Sequence, residues 1–158
     1  MNTNGQPSGA GAVGGGETPA SRRDVVSARS RMRTKYGAQR EIEQVAAALE
    51  PGEVLLHLAM TRGSSQSERS QHGLVALSDL RLQYVPKSTS RSEPHSTDIG
   101  DIGLVTWSPD PDGRTGTLSI VSSSATHAYA GMSRADGRDL IAGIRTVRPA
   151  VRYVEPPG

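Results

Sequence analysis

Apolar and polar positions change their period once along this chain. Ala38, Ile42, Val45, Ala46 and Leu49 recur at steps of three and four, the spacing of one helix face. The spacing predicts a helix over 27–50, ended by Pro51-Gly52. Its first half, Arg29 to Lys35, is basic nearly all round, with Met32 and Tyr36 as apolar companions. A helix docks where its apolar stripe lies, so residues 38–49 are expected to pack and residues 22–35 to project or fray.

After Gly52 the period drops to two. Val54, Leu56, Leu58 and Met60 alternate with Leu55, His57 and Ala59, a strand pattern. Further strands are expected over 72–77, 80–85, 95–102, 104–107, 115–122 and 125–130. They are separated by the polar stretches 61–71 and 86–94, the Ser78-Asp79 turn and the turn at Asp110-Pro111-Asp112-Gly113. A last helix follows, with Ser133 as N-cap and Asp136 three residues on. Leu140, Ile141, Ile144 and Val147 share one face, and Pro149 is the stop.

The chain thus divides into a Gly/Ser/Pro-rich disordered tail over 1–26, a basic-to-amphipathic helix over 27–50, a β-domain over 51–148 and a loose C-terminal tail over 149–158. Gly9, Gly11 and Gly14 match a dinucleotide-binding glycine pattern, but no strand precedes them and no helix follows closely, so the match is spurious.

Composition narrows the function. There is no Cys, which excludes disulfides, thiolate metal sites and a cysteine nucleophile. With no apolar run of about 20 residues and no secretory pattern at the start, a cytoplasmic, at most membrane-peripheral, location is expected. With no Phe, one Trp and four Tyr, an aromatic platform for stacking bases is not to be expected. Charge is distributed unevenly. Residues 22–40 hold seven cations (Arg22, Arg23, Arg29, Arg31, Arg33, Lys35 and Arg40) against Asp24 alone, whereas residues 41–158 carry eleven basic and fourteen acidic groups.

Seven short strands closed by one amphipathic helix is an arrangement with a known resemblance. Pro51-Gly52-Glu53-Val54-Leu55-Leu56 leads into the first strand, and Gly73-Leu74-Val75-Ala76-Leu77-Ser78-Asp79-Leu80-Arg81-Leu82 forms a strand–turn–strand with a Ser-Asp-x-Arg-Leu centre. Ile99-Gly100-Asp101-Ile102 follows where the sheet turns its corner. Over about residues 50–148 these resemble the bacterial pleckstrin-homology-like (PH-like) domain family. The resemblance implies a mainly β fold with two helices (α+β): a seven-stranded antiparallel barrel or sandwich capped by the C-terminal helix. It implies recognition rather than catalysis. Some relatives bind phosphoinositides through a basic first loop, but here 61–71 offers only Arg62 and Arg69 against Glu68, so that property does not carry over.

No catalytic constellation, cofactor loop or metal cluster presents itself. His57, His72, His95 and His127 lack ligand spacing, Ser122-Ser123-Ser124 reads as a polar turn, and Asp110 with Asp112 reads as a hairpin turn rather than a calcium loop. The expectation is a non-enzymatic module that binds a protein partner, with Arg62, Arg69 and Trp107 as candidate interface residues and no cofactor. The alternative is contact between the basic segment 22–40 and an anionic membrane. Nucleic-acid binding by that segment is disfavoured by the acidic body. The first helix is left to dock on its own domain or on a second copy of the chain.

Overall fold

The computed structural model describes residues 18–33, 37–62, 72–88 and 92–155. Gly52 sits at φ +84°, a conformation that suits glycine, and turns the chain from helix into sheet. Among the described residues two α-helices precede it, α1 (Arg23–Ser30) and α2 (Gln39–Ala48). Eight strands follow: β1 (Leu55–Thr61), β2 (Gly73–Ser78), β3 (Arg81–Pro86), β4 (His95–Asp98), β5 (Ile102–Pro109), β6 (Thr115–Ser122), β7 (Thr126–Ser133) and β8 (Arg152–Val154). Helix α3 (Arg134–Val147) lies between the last two.

The strands form two four-stranded sheets, β1-β2-β3-β4 and β7-β6-β5-β8. Of the expected barrel or sandwich, the structure is an open two-sheet sandwich and not a closed barrel. The chain leaves the first sheet at Asp98, passes a 3₁₀ turn at Ile99–Asp101 and starts the second sheet at Ile102 without pairing the two. At the other corner the sheets touch where the Arg62 amide and the Thr61 hydroxyl both donate to the Ala130 carbonyl.

The residues expected as a loose C-terminal tail supply the eighth strand. β8 runs parallel to β5, so the second sheet is not wholly antiparallel. Val151, buried in the core, anchors the chain just before it.

The first sheet is apolar on both faces. Val75, Leu77, Leu82 and Tyr84 point into the space between the sheets and meet Val105, Trp107, Leu118, Ile120, Leu140 and Ile144. Leu58, Met60, Leu74, Ala76 and Val85 point the other way and meet α1 and α2 through Val25, Ala28, Met32, Ile42 and Val45. All six residues of β2 are buried for this reason. The simple alternation expected in the first strand fails at Leu56. The register slips between Leu55 and His57, so Leu56 packs inward while Leu55 and Leu58 face the helices.

The single helix expected over 27–50 is in fact two, and the first begins at Arg23, inside the expected tail. Residues 22–33 do not project. Val25, Ala28 and Met32 form a short stripe of their own, buried against β1. β1 is an edge strand, and α1 answers its outward backbone groups. Arg22 Nη2 donates to the Glu53 carbonyl at 2.6 Å, the Leu55 amide donates to Asp24 Oδ2 at 2.7 Å, and Arg31 Nη2 donates to the Leu56 carbonyl at 2.6 Å.

The motif residues before β1 and around the β2–β3 turn form one polar hub. Arg81 donates to both carboxylate oxygens of Glu53 at 3.1 Å, the Glu50 amide donates to Oε1 at 2.8 Å, and the Ser78 hydroxyl donates to Oε2. Asp79 accepts from the Val54 amide at 2.9 Å. Burial pushes the Glu53 carboxyl up, but the bonds from Arg81, the Glu50 amide and Ser78 outweigh it and hold it below its ordinary value.

Removing one partner strands the other in a buried place. Arg81→Ala is expected to lose about 3 kcal/mol of stability in urea unfolding. Because the Glu53 pKa is depressed in the folded state, its contribution is present above the ordinary value of 4.5 and declines as the pH falls below it. Wild type should therefore lose more stability than Glu53→Gln between neutral pH and acid, measured by denaturant titration at each pH.

Candidate functional site

Polar side chains gather at three places: the basic segment, the groove over Trp107 and the open end of the sandwich. Most described cations of the basic segment are occupied. Arg22 pairs with Asp24 at 2.9 Å, Arg33 reaches Asp139 at 3.5 Å, and Arg40 lies 3.7 Å from the buried Glu41, which also holds Lys87 at 3.2 Å. Arg31 is bound to β1 as described above. Arg23 and Arg29 are exposed and have no ion-pair partner among the described residues. Lys35 and Arg69 lie outside the described residues. Arg62 is exposed at the end of β1, its amide bound to Ala130.

Trp107 is not an exposed anchor but a buried one, 4% accessible. Two glycines make its seat. A Cβ at Gly137 would lie 2.4 Å from the indole, and a Cβ at Gly116 would lie 2.6 Å from it and from the Ser108 carbonyl. These approaches let α3 lie directly on β5 and β6. Helix α3 starts where expected, with the Asp136 amide donating to the Ser133 hydroxyl at 3.1 Å.

Beside the indole runs a groove of about 320 Å³ between α3 and β8. Arg134, Arg138 and Arg145 line it with Ile141, Ala142, Tyr153 and Glu155. Spacings of four and seven residues put the three arginines on one helical stripe, about 16 Å long at 1.5 Å per residue. Arg134 and Arg138 are exposed and make no ion pair among the described residues. The Arg145 guanidinium lies over the Tyr153 ring, 5.7 Å from its centroid. The Tyr153 hydroxyl donates to Glu155; burial, then the neighbouring Glu155 carboxylate, pushes it up to about 12. β8 ends its sheet, with no strand paired to its outer edge among the described residues.

The opposite end holds an arrangement that sequence spacing did not reveal. Strand register sets His95 against Tyr84 across β3 and β4, and His127 against Ile120 across β6 and β7. The sandwich then brings His95 and His127 face to face, centroids 3.7 Å apart and planes 10° apart. Tyr84 stacks on His95 at 5.0 Å, and His95 Nε2 lies 2.7 Å from the Tyr129 hydroxyl. Burial lowers the His95 pKa, the neighbouring His127 lowers it further, and the Glu93 carbonyl opposes them. Burial of Tyr129 raises its pKa, so its hydroxyl stays protonated. A hollow of about 270 Å³ opens here. Spacing along the chain does not relate the four histidines; His95 and His127 meet through the packing of one sheet against the other.

No group of three or more His, Cys, Asp or Glu among the described residues could hold a metal ion. No described helix is long and apolar enough to cross a membrane.

No family model matches the chain, and no curated protein matches it. Solved structures similar to it include the Vps36 N-terminal PH domain, 18% identical over 64% of this chain and 83% of that one, with a TM-score of 0.44. The hSac2 domain from human phosphoinositide phosphatase Sac2 is 13% identical over 76% of this chain and 90% of its own, with a TM-score of 0.48. The Spt16D Pob3N heterodimer is 17% identical over 65% of this chain and 53% of that chain, with a TM-score of 0.44. Likenesses of this degree say nothing of what the chain binds.

The seat of the indole can be tested directly. Gly137→Ala forces a methyl group against the ring and is expected to cost about 1–3 kcal/mol. Trp107 is the sole tryptophan, so its emission should shift to longer wavelength in the variant as the ring is levered towards water. Unchanged emission and stability would show that α3 sits higher than described.

Proposed function

We propose that this chain is a non-catalytic recognition module on a PH-like scaffold, and that it takes a protein partner in the groove between α3 and β8. The observation that carries this reading is the stripe of Arg134, Arg138 and Arg145 beside an unpartnered strand edge. Arginine offers a planar fork of donors that binds carboxylates in pairs, and an open edge offers backbone groups to an extended segment. Ile141, Ala142 and Tyr153 add apolar surface between the charges, as an interface needs. The partner surface that complements this groove is acidic.

The anionic-membrane and nucleic-acid alternatives draw on residues 22–40. Arg22, Arg31, Arg33 and Arg40 already serve carboxylates and carbonyls of the same chain. Arg23 and Arg29 remain from the described part of that segment, fewer charges than the seven counted in sequence.

A photo-crosslinking side chain in place of Ala142 should capture a discrete protein adduct in native lysate, whereas the same group in place of Ser124, on the distant β6–β7 turn, should not. The double reversal Arg134→Glu with Arg138→Glu should reduce the adduct at least about tenfold while the melting profile is kept, since interface arginines commonly contribute 1.4 kcal/mol or more. Equal adducts from both positions, or adducts insensitive to the reversal, would defeat the groove as the binding site.

A further inference from the structure

We propose that His95 and His127 form a proton-operated latch, which holds the open end of the sandwich shut at neutral pH and releases it in acid. The two histidines lie on strands from different sheets, β4 and β7, and no strand pairing joins those strands. β7 is tied to the end of β1 at Ala130, and beyond that tie its contact with β4 is made by side chains: the imidazole stack at 3.7 Å, the Tyr84 ring behind it and the Tyr129 hydroxyl beside it. The seam therefore depends on the state of two titratable rings.

Neutral His95 fits the seam with Tyr129 as donor. A neutral His95 carrying its proton on Nδ1 donates to the Glu93 carbonyl at 3.3 Å and accepts from the Tyr129 hydroxyl at Nε2. Tyr129 is buried and keeps its proton, so it is fitted to donate. A second proton on His95 reverses that bond: Nε2–H then donates to the Tyr129 oxygen, and the buried hydroxyl must turn its own proton elsewhere. It also sets a cation in direct ring contact with His127, the neighbour that already disfavours charge on His95.

The charged and titratable neighbours leave this balance in place. Tyr84 faces His95 from β3, His127 and Tyr129 from β7, and Glu93 from the segment before β4. Glu93 supplies the one carboxylate lining the hollow among the described residues; it is exposed, so water screens its support for an imidazolium. No Lys or Arg lines the hollow among the described residues. The sign follows: the folded, closed form prefers neutral His95, so closure is fully favoured above the ordinary histidine value of 6.5 and is lost as the pH falls below it.

The full chain lacks cysteine, so spin labels can be placed at will by Ser96→Cys and Thr126→Cys, both exposed, one on each side of the seam. Dipolar broadening between the labels should be strong at about pH 7.5 and lost at about pH 5.5, the span in which histidine charges. In His127→Tyr, which keeps a ring in the stack and takes up no proton in this range, the broadening should persist at the lower pH. In His127→Gln the His95 imidazole, followed by NMR, should titrate higher than in wild type. A melting scan at neutral pH identifies which variants remain folded. His57→Gln serves as a control, because His57 is also depressed by burial but lies away from the seam, against α3. Broadening that survives acid in wild type, or is lost equally in wild type and folded His127→Tyr, would overturn the latch, as would His95 titrating identically with and without His127.

Discussion

The outer edge of β1 is the constraint around which the N-terminal third of the chain is arranged. An edge strand presents amide and carbonyl groups that must be satisfied or protected from pairing with another chain. Here Arg22, Asp24 and Arg31 of the first helix region take up the groups of residues 53, 55 and 56. Asp79 takes up the amide of residue 54 from the β2–β3 turn. The Glu53 side chain, turned inward, ties that turn to the end of α2 through Arg81, which also donates to the Ala48 carbonyl. A run of charge that suggests a surface for something else is, in large part, the fastening of one strand.

That fastening leaves the molecule with two working ends. At one end α3 lies low on Trp107, because Gly116 and Gly137 remove the methyl groups that would lift it, and its arginines stand along the margin beside β8. At the other end the sheets part and aromatic rings from β3, β4 and β7 fill the gap. The first end is built from one helix stripe and a sheet edge, both rigid. The second is built from contacts between sheets, which a change of charge can disturb. A binding surface suits the former and a switch suits the latter.

Much of the architecture was legible in the sequence. The seven strands in order, the Gly52 boundary and the Ser133 cap rest on local rules of period and turn chemistry, and local rules are what a sequence displays. The missed elements have non-local causes. Residues 22–35 were expected to project because only Met32 and Tyr36 were counted as apolar among the cations; the stripe of Val25, Ala28 and Met32 is short, and the carbonyls that Arg22 and Arg31 reach belong to a distant part of the chain. β8 lacks any strong strand pattern over three residues and exists because β5 has an edge to fill. The slip at Leu56 answers the need to serve two cores from one strand. At the candidate sites, Trp107 was singled out from the sequence, whereas the groove beside it depends on where β8 lies against α3, and no local pattern places that strand. His95 and His127 are separated by an entire change of sheet, so no spacing rule could join them.

The first sheet, enclosed on both faces, changes where the folding unit begins. A sandwich whose outer faces were both wet could be trimmed back to its first strand. Here Leu58, Met60, Leu74, Ala76 and Val85 form an apolar wall whose cover is α1 and α2. Cutting the chain at residue 51, where the strand pattern starts, would leave that wall bare and adhesive, a broad hydrophobic surface of the kind that drives self-association. The helices before Gly52 are thus a layer of the domain rather than a leader to it.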